Sequence, residues 1–524
     1  MYTAEAIARG CPSQPLPRPV TEPVNAWPPM PGFSESMLKR LVQPMVRSPQ
    51  LEGFLARLMA APNGTNFSVA AIGGSMTAGQ GCLPTARFAK GPVSPHMVHE
   101  RRCAWPARLQ AWFQLAFTGR TVTVINIGKP AWGTNMWALD GLEDRQDIKS
   151  VDLVITDLAI NAGMDGGVSQ TEEEEAAAAV WSVLTSMPTQ PGVLALEVAE
   201  GLFTRNSFDY DEKWTRTVCK PASEQVLFGE GEAQHYDTVI SNRSVFRVCR
   251  RKWWPAVWHQ SVARRLHLPV VSLHDALWPA LEEPDPNFPL LWDGHMHPSN
   301  STHQVIANSV AFALAHATER LCTAGGVPLS WQAWNQARDL ARTNVVDRNN
   351  DSKAALRRCA PARTRLHEPL EAFQPAAPPR GWFYGEDVAG NVKPGWLANS
   401  NATAKDLAPR IEFNVTVGDQ RLLLIGYLSS YDLTMGGVNV QLVAEHGETV
   451  CSWTIDAHWS NPVSVVTYKT FELPSIVNPG SYQVRLHLLP SKWRHGDERV
   501  HGISFLAVYN HAMSRFKLLH IVTC

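Results

Sequence analysis

The chain has no excess of either charge: 47 Lys and Arg stand against 48 Asp and Glu, for a net charge of −1. With a pI near 7.0 it carries no basic footprint of the kind nucleic-acid binding requires. No stretch approaches the ~20 continuous apolar residues of a membrane-spanning helix, so a soluble protein with no membrane span is expected. The nine cysteines include no Cys-x-x-Cys pair, which excludes a zinc ribbon or a thioredoxin-type redox site. The start, "MYTAEAIARGCPSQPLPRPV", lacks the apolar core of a secretory signal.

What is present is ordinary globular composition. Hydrophobic residues make up 44% and charged residues 18% of 524, enough chain for two or three domains with their own cores. Seven Asn-x-Ser/Thr sequons begin at Asn63, Asn66, Asn242, Asn300, Asn350, Asn401 and Asn414. Cys82/Cys103, Cys219/Cys249 and Cys322/Cys359 are spaced for local disulfides, and the odd count leaves at least one thiol unpaired. Sequons and paired cysteines together favour the secretory pathway or an extracellular glycoprotein, with the cytoplasm as the alternative.

Residues 1–49 are rich in proline and read as an extended arm. From 50 to 322, short β-rich runs ("FSVAAIG", "VTVINIG", "VDLVITDLAI", "GVLALEVAE", "LPVVSLHDAL") alternate with helical stretches ("AWPARLQAWFQLAF", "TEEEEAAAAVWSVLTSM", "PAVWHQSVARRLH", "THQVIANSVAFALAHATERL"). Nearly continuous apolar strands separated by helices predict a parallel sheet covered on both faces. Residues 201–250 interrupt this pattern as an insertion, and 323–375 read as a helical segment and linker. From 376 to 524, period-two runs such as "RIEFNVTV", "RLLLIGYL", "VNVQLVA", "VVTYKTFEL", "SYQVRLHLL" and "GISFLAVYN" recur between turn clusters, predicting a β-sandwich. The acidic run Glu172–Glu175, after Thr171, reads as first-turn residues set against a helix dipole.

Ligands of such sheets bind beyond the carboxyl ends of the strands. The first strand run ends at Gly73-Gly74-Ser75, the second leads into "INIGKPAWGTN" with Gly133, and the third ends at Asn161. The Ser75 and Gly133 N–H groups and the Asn161 amide can serve as three donors to an oxyanion, which a serine hydrolase needs because that charge appears only in the transition state. A serine also needs a base, and "LLWDGHMHPSNSTHQVIA" offers His297 with Asp293 to orient it.

At these four blocks the chain resembles the SGNH, or GDSL, hydrolase superfamily. "GGSMTAG" is similar to block I with Gly74 in place of the usual Asp, "NIGKPAWGT" to block II, "LAINAG" to block III and "DGHMHPS" to block V. The resemblance implies a three-layer α/β/α flavodoxin-like fold and ester hydrolysis with no cofactor and no metal. It also implies Ser75 as nucleophile, Gly133 and Asn161 completing the oxyanion hole, and His297 as base. The α/β-hydrolases differ, since their Gly-x-Ser-x-Gly elbow would need glycine at Thr77.

Two departures stand out. Asp293 lies four residues before His297 rather than the family's three, and Ala162 replaces the Asp that usually follows the block III Asn. His295 is the alternative base, but only His297 precedes Pro-Ser. His303 reads as structural or exposed, and His274-Asp275 as a helix start where Asp caps. A glycan on Asn300 would crowd the site, so that sequon is expected to be unmodified. Nineteen tryptophans leave both sugar stacking and core packing open. The leading expectation is a serine esterase acting on an ester substrate such as an O-acylated polysaccharide. The alternatives are an inactive glycan-binding or scaffold protein of the same fold, and a lipid-ester hydrolase.

Overall fold

The computed structural model describes residues 35–82, 101–139, 145–159, 170–198, 235–241, 244–250, 254–273, 300–324, 373–386, 394–400, 409–430, 434–458, 464–489 and 514–524. It also describes the short pieces 10–12, 275–276 and 364–366 and the single positions 7, 16, 142 and 298. The chain divides into two units, Met1–Asn350 and Asp351–Cys524.

The first unit begins with helices α1 (Glu35–Val42) and α2 (Pro49–Ala60). Pro49 fits the first turn of α2, where a missing N–H costs nothing, and Ser48 Oγ caps it by accepting from the Leu51 N–H. Strand β1 (Asn66–Gly73) runs into the one-turn helix α3 (Ser75–Ala78); α4 (Trp105–Ala116) then leads to β2 (Thr121–Asn126) and α5 (Thr134–Leu139). Next come β3 (Leu153–Asp157), α6 (Gln170–Ser186) and β4 (Gly192–Glu197). A hairpin of β5 (His235–Ser241) and β6 (Ser244–Arg250) precedes α7 (Trp254–Arg265), β7 (Val270–Ser272) and α8 (Asn300–Thr323).

Five strands pair in parallel in the order β2-β1-β3-β4-β7. That order is the flavodoxin-like one. Successive strand residues face opposite layers. Ile155 of β3 joins Phe54, Trp105 and Leu314 in a core beneath α2, α4 and α8. Thr156, the next residue, accepts on the other face from Trp181 Nε1 of α6 at 2.9 Å. Both faces are thus covered, as continuous apolar strands require.

The second unit is all β. A six-stranded sheet runs β15 (Val465–Glu472), β12 (Leu422–Ser429), β17 (Ser514–Thr523), β10 (Gly395–Ser400) and β9 (Trp382–Gly385), with β8 (Thr364–Leu366) also paired to β17. A four-stranded sheet runs β11 (Arg410–Val417), β16 (Gly480–Leu488), β13 (Gly437–Ala444) and β14 (Thr449–Asp456). All these pairings are antiparallel. On β11, Ile411, Phe413, Val415 and Val417 point inward, and Phe413 meets Trp396 of β10 with ring centroids 6.3 Å apart. The two sheets therefore close on one another as a sandwich.

Three expectations need correction. The proline-rich arm is not extended throughout, because it contains α1, and its last residue, Pro49, opens α2. Cys322 bonds to Cys11, with Cα atoms 5.8 Å apart, and not to Cys359. The segment 323–375 is not only helix and linker, since β8 lies inside it and pairs with the central strand β17. Cys82 and Cys103 are bonded as expected, with Cα atoms 5.9 Å apart. Cys451 is the free thiol among the described cysteines, and Cys524 is disulfide-bonded. Cys219, "SWQAWNQARDLART" and "GISFLAVYN" lie outside the described residues.

Candidate active site

Ser75 stands two residues beyond β1, at the first position of α3, where a helix N–H has no partner within the helix. Its side chain is buried, with 5% of its surface exposed. The turn requires glycine before it: a Cβ on Gly73 would lie 2.2 Å from Thr77 Oγ1 and 2.6 Å from the Asp157 carbonyl oxygen. The same applies at Gly128, where a Cβ would meet the Ala78 nitrogen at 2.5 Å. The serine turn and the loop after β2 therefore touch backbone to backbone.

Two hydrogen bonds hold that contact and a third shapes the loop. The Lys129 N–H donates to Gly73 O at 2.9 Å, and Asn126 Nδ2 donates to Thr77 O at 2.7 Å. Asn126 Oδ1 accepts from the Gly128 N–H at 3.0 Å. Gly133 follows five residues later, just ahead of α5, and its carbonyl accepts from the Met136 and Trp137 N–H groups. Between them Lys129 Nζ sits 3.8 Å over the Trp132 ring, which meets Trp137 edge-on at 5.0 Å. Trp105, Trp137 and Trp181 are fully buried, so these three fill the core rather than offer a face to a sugar.

Behind the two turns lies a sealed group of ionisable side chains. Asp157, at the end of β3, accepts from Thr77 Oγ1 at 2.8 Å. His259 Nε2 of α7 lies 2.7 Å from Glu173 Oε1 of α6, and its Nδ1 lies 3.5 Å from Glu197 Oε1 of β4. Thr134 Oγ1 lies 3.3 Å from His259 Nε2 and donates to the Leu158 carbonyl at 3.4 Å. Burial alone would lower the His259 pKa, but the Glu197 and Glu173 carboxylates outweigh it and push it up to about 10. Burial raises the Asp157 carboxyl to about 7, against the Thr77 hydrogen bond. Among the described residues no group of three or more such side chains is arranged to hold a metal ion.

Of the residues expected to form the site, Ser75 and Gly133 are described: they follow the adjacent strands β1 and β2, and the loop that leads to Gly133 packs on the Ser75 turn at Gly128 and Lys129. Asn161, Asp293, His297, the alternative base His295, and His274 lie outside the described residues. The neighbours of the last block are described. Asn300 Nδ2 donates to the Cys82 carbonyl at 3.0 Å, joining the start of α8 to the chain just past α3. Arg108 braces the same spot, with bonds to Cys103 O at 2.6 Å and Gln304 Oε1 at 3.1 Å. His303 is structural: its Nδ1 accepts from the Trp105 N–H that opens α4. The helix start after β7 is capped by Ser272, whose Oγ accepts from the Asp275 N–H, rather than by Asp275.

Sequence reasoning passed over Asp157, His259, Glu173 and Glu197. The acidic run does begin a helix, but Glu173 is buried against His259, and Glu174 pairs with Arg265 at 3.0 Å. The available signal was a histidine inside the otherwise core-forming helix "PAVWHQSVARRLH", facing two strand ends that close on acids.

Compared with solved structures, the chain is similar over 92% of its length to the crystal structure of a two-domain esterase active on acetylated mannans. That match covers 98% of the other chain, with a TM-score of 0.54 and 13% identity. The fold is that of a two-domain esterase. A second crystal structure of such an esterase, co-crystallised with mannopentaose, matches over 93% of this chain and 97% of the other, with a TM-score of 0.52 and 14% identity. No family model matches the chain, and no curated protein matches it. The flavodoxin-like unit is thus the fold that the four blocks implied, and the sandwich after it is the one that the period-two runs predicted.

Proposed function

We propose that the chain is a serine esterase that removes acyl groups from an O-acylated glycan by way of an acyl-enzyme on Ser75. The observation that carries this reading is the placement of Ser75 at the carboxyl end of β1, braced through Lys129 and Asn126 against the loop that ends in Gly133. The two-domain fold, which is that of an esterase active on acetylated mannans, supports the substrate class. In the reaction, His297, oriented by Asp293, takes the Ser75 hydroxyl proton as Oγ attacks the acyl carbon. The resulting oxyanion accepts from the Ser75 and Gly133 N–H groups and the Asn161 amide. Collapse expels the sugar alkoxide, which leaves with the proton held by His297. A water, deprotonated by the same imidazole, then attacks the acyl-enzyme, releasing the carboxylic acid and Ser75. The Cys11–Cys322 and Cys82–Cys103 disulfides fit a protein of the secretory pathway or the extracellular space. No helix among the described residues is long and apolar enough to cross a membrane.

The test is turnover of short p-nitrophenyl esters and release of acetate from acetylated mannan, with fluorophosphonate labelling alongside. Wild-type protein should turn over and become labelled, and Ser75→Ala should do neither. Failure of the wild type in both assays would leave the inactive glycan-binding reading in its place.

A further inference from the structure

Four ionisable side chains are sealed from water behind the candidate site, and the chemistry proposed above uses none of them. Asp157, Glu173, Glu197 and His259 are each at most 1% exposed. Such a cluster is a poor stabiliser, because replacing a buried ionic group by apolar side chains of similar volume is often neutral or favourable. Its geometry offers a different role. Asp157 and Leu158, adjacent at the end of β3, hold one residue from each arm of the site. The Asp157 side chain accepts from Thr77, two residues past Ser75, at 2.8 Å. The Leu158 carbonyl accepts from Thr134, the residue after Gly133, at 3.4 Å. Thr134 is in turn 3.3 Å from His259, which lies between Glu173 and Glu197. The strand end is thereby fixed to α6, α7 and β4 at once.

We propose that the end of β3, locked by the Glu173–His259–Glu197 group, is a positioning unit that sets the separation of the Ser75 and Gly133 turns, with Thr77 and Thr134 as its two points of attachment. The consequence for catalysis rests on the esterase reading, in which both turns supply N–H groups to one oxyanion. Oxyanion donors act over a range of about 2.7–3.1 Å, and a misplacement of about 1 Å can cost about 100-fold in rate. Neither threonine touches substrate; each acts through the turn it holds.

The test uses the full chain with Thr77→Val and Thr134→Val, which keep shape and remove the hydroxyl, and with Thr77→Ser and Thr134→Ser, which keep the hydroxyl. Hydrogen–deuterium exchange is followed in peptides covering 74–80 and 130–137. Each valine variant should raise exchange in both peptides, and each serine variant should restore it. Gains confined to the substituted turn in both valine variants would overturn the proposal, whether or not the protein is an esterase. Kinetics form the second arm. Each valine variant should lower kcat by about 10- to 100-fold with KM within about threefold. The double valine variant should lose less than the product of the single losses, because either break already frees the pair of turns. Full multiplicative loss in an active enzyme would also overturn the proposal. A wild type without turnover would count against the esterase reading alone, and the exchange result would still decide the positioning role.

Discussion

At Asp157 a carboxyl is held away from water with Thr77 Oγ1 as its donor, while Glu197 on β4 opposes its ionisation and His259 on α7 favours it. Its pKa in the fold, raised to about 7, exceeds the ordinary carboxylate value, so the folded protein keeps this proton over a range where the unfolded chain has released it. The contribution of Asp157 to stability therefore falls as pH rises from about 4 to about 7. His259 continues the trend. With Glu173 on α6, Glu197 on β4 and Thr134 on α5 around it, its contribution is complete below the ordinary histidine value and is lost as pH rises through about 10. Urea unfolding midpoints should decline across both ranges, and Asp157→Asn, which cannot ionise, should flatten the lower one. An equal slope in the variant between pH 4 and 7 would refute this account. These residues were illegible in the sequence for a physical reason. Glu173 and His259 are 86 positions apart, and only the fold makes them neighbours. The positions of Ser75, two residues past β1, and of Gly133, in the loop after β2, could be read because the apolar runs and the small residues that follow them are local features.

The strands of the first unit were readable because burial on both faces leaves near-continuous apolar runs: β4 is buried at every position. In the second unit, β11 follows the period-two pattern of one wet and one dry face, and its bounds match the run "RIEFNVTV". Two strands of the six-stranded sheet did not announce themselves so clearly. β17, sealed between β12 and β10, contains Lys517 at 1% exposure, and neither alternation nor composition marks it as core. The three residues of β8 are too few to show any period. Local structure also separates two of the glycosylation sequons. Asn414 is exposed on the outer face of β11, with its Oδ1 accepting from Gln483. Asn300 instead spends Nδ2, the atom a glycan would take, on the Cys82 carbonyl. Protein made in a eukaryotic secretory pathway should carry glycan at Asn414 and none at Asn300, read by peptide mass spectrometry with and without enzymatic deglycosylation. Occupancy at Asn300 would mean that the bond to Cys82 does not hold during folding.

At the scale of the whole molecule, the division into two units gives the disulfides distinct jobs. Cys82–Cys103 spans 21 residues and acts locally, where Arg108 and Asn300 gather around it. Cys11–Cys322 spans 311 residues, from the proline-rich arm to the end of α8, and both ends lie inside the first unit. In the chain-entropy view, a long closed loop restricts the unfolded ensemble strongly, and a native disulfide is typically worth about 2–4 kcal/mol. The arm needs this tie, since α1 is only eight residues long and a helix of that length has little stability of its own. Replacing both cysteines by serine should therefore destabilise the first unit by about that amount and loosen the arm against α8. The second unit, whose sandwich core is built from its own strands, should keep its stability. Hydrogen exchange under mild denaturant reads the two separately: the expected result is faster exchange in α1, α2 and α8 with β11–β17 unchanged. Equal loss in both units would show that the sandwich depends on the first unit for its stability, and no change in either would show that the arm is held by packing without the bond.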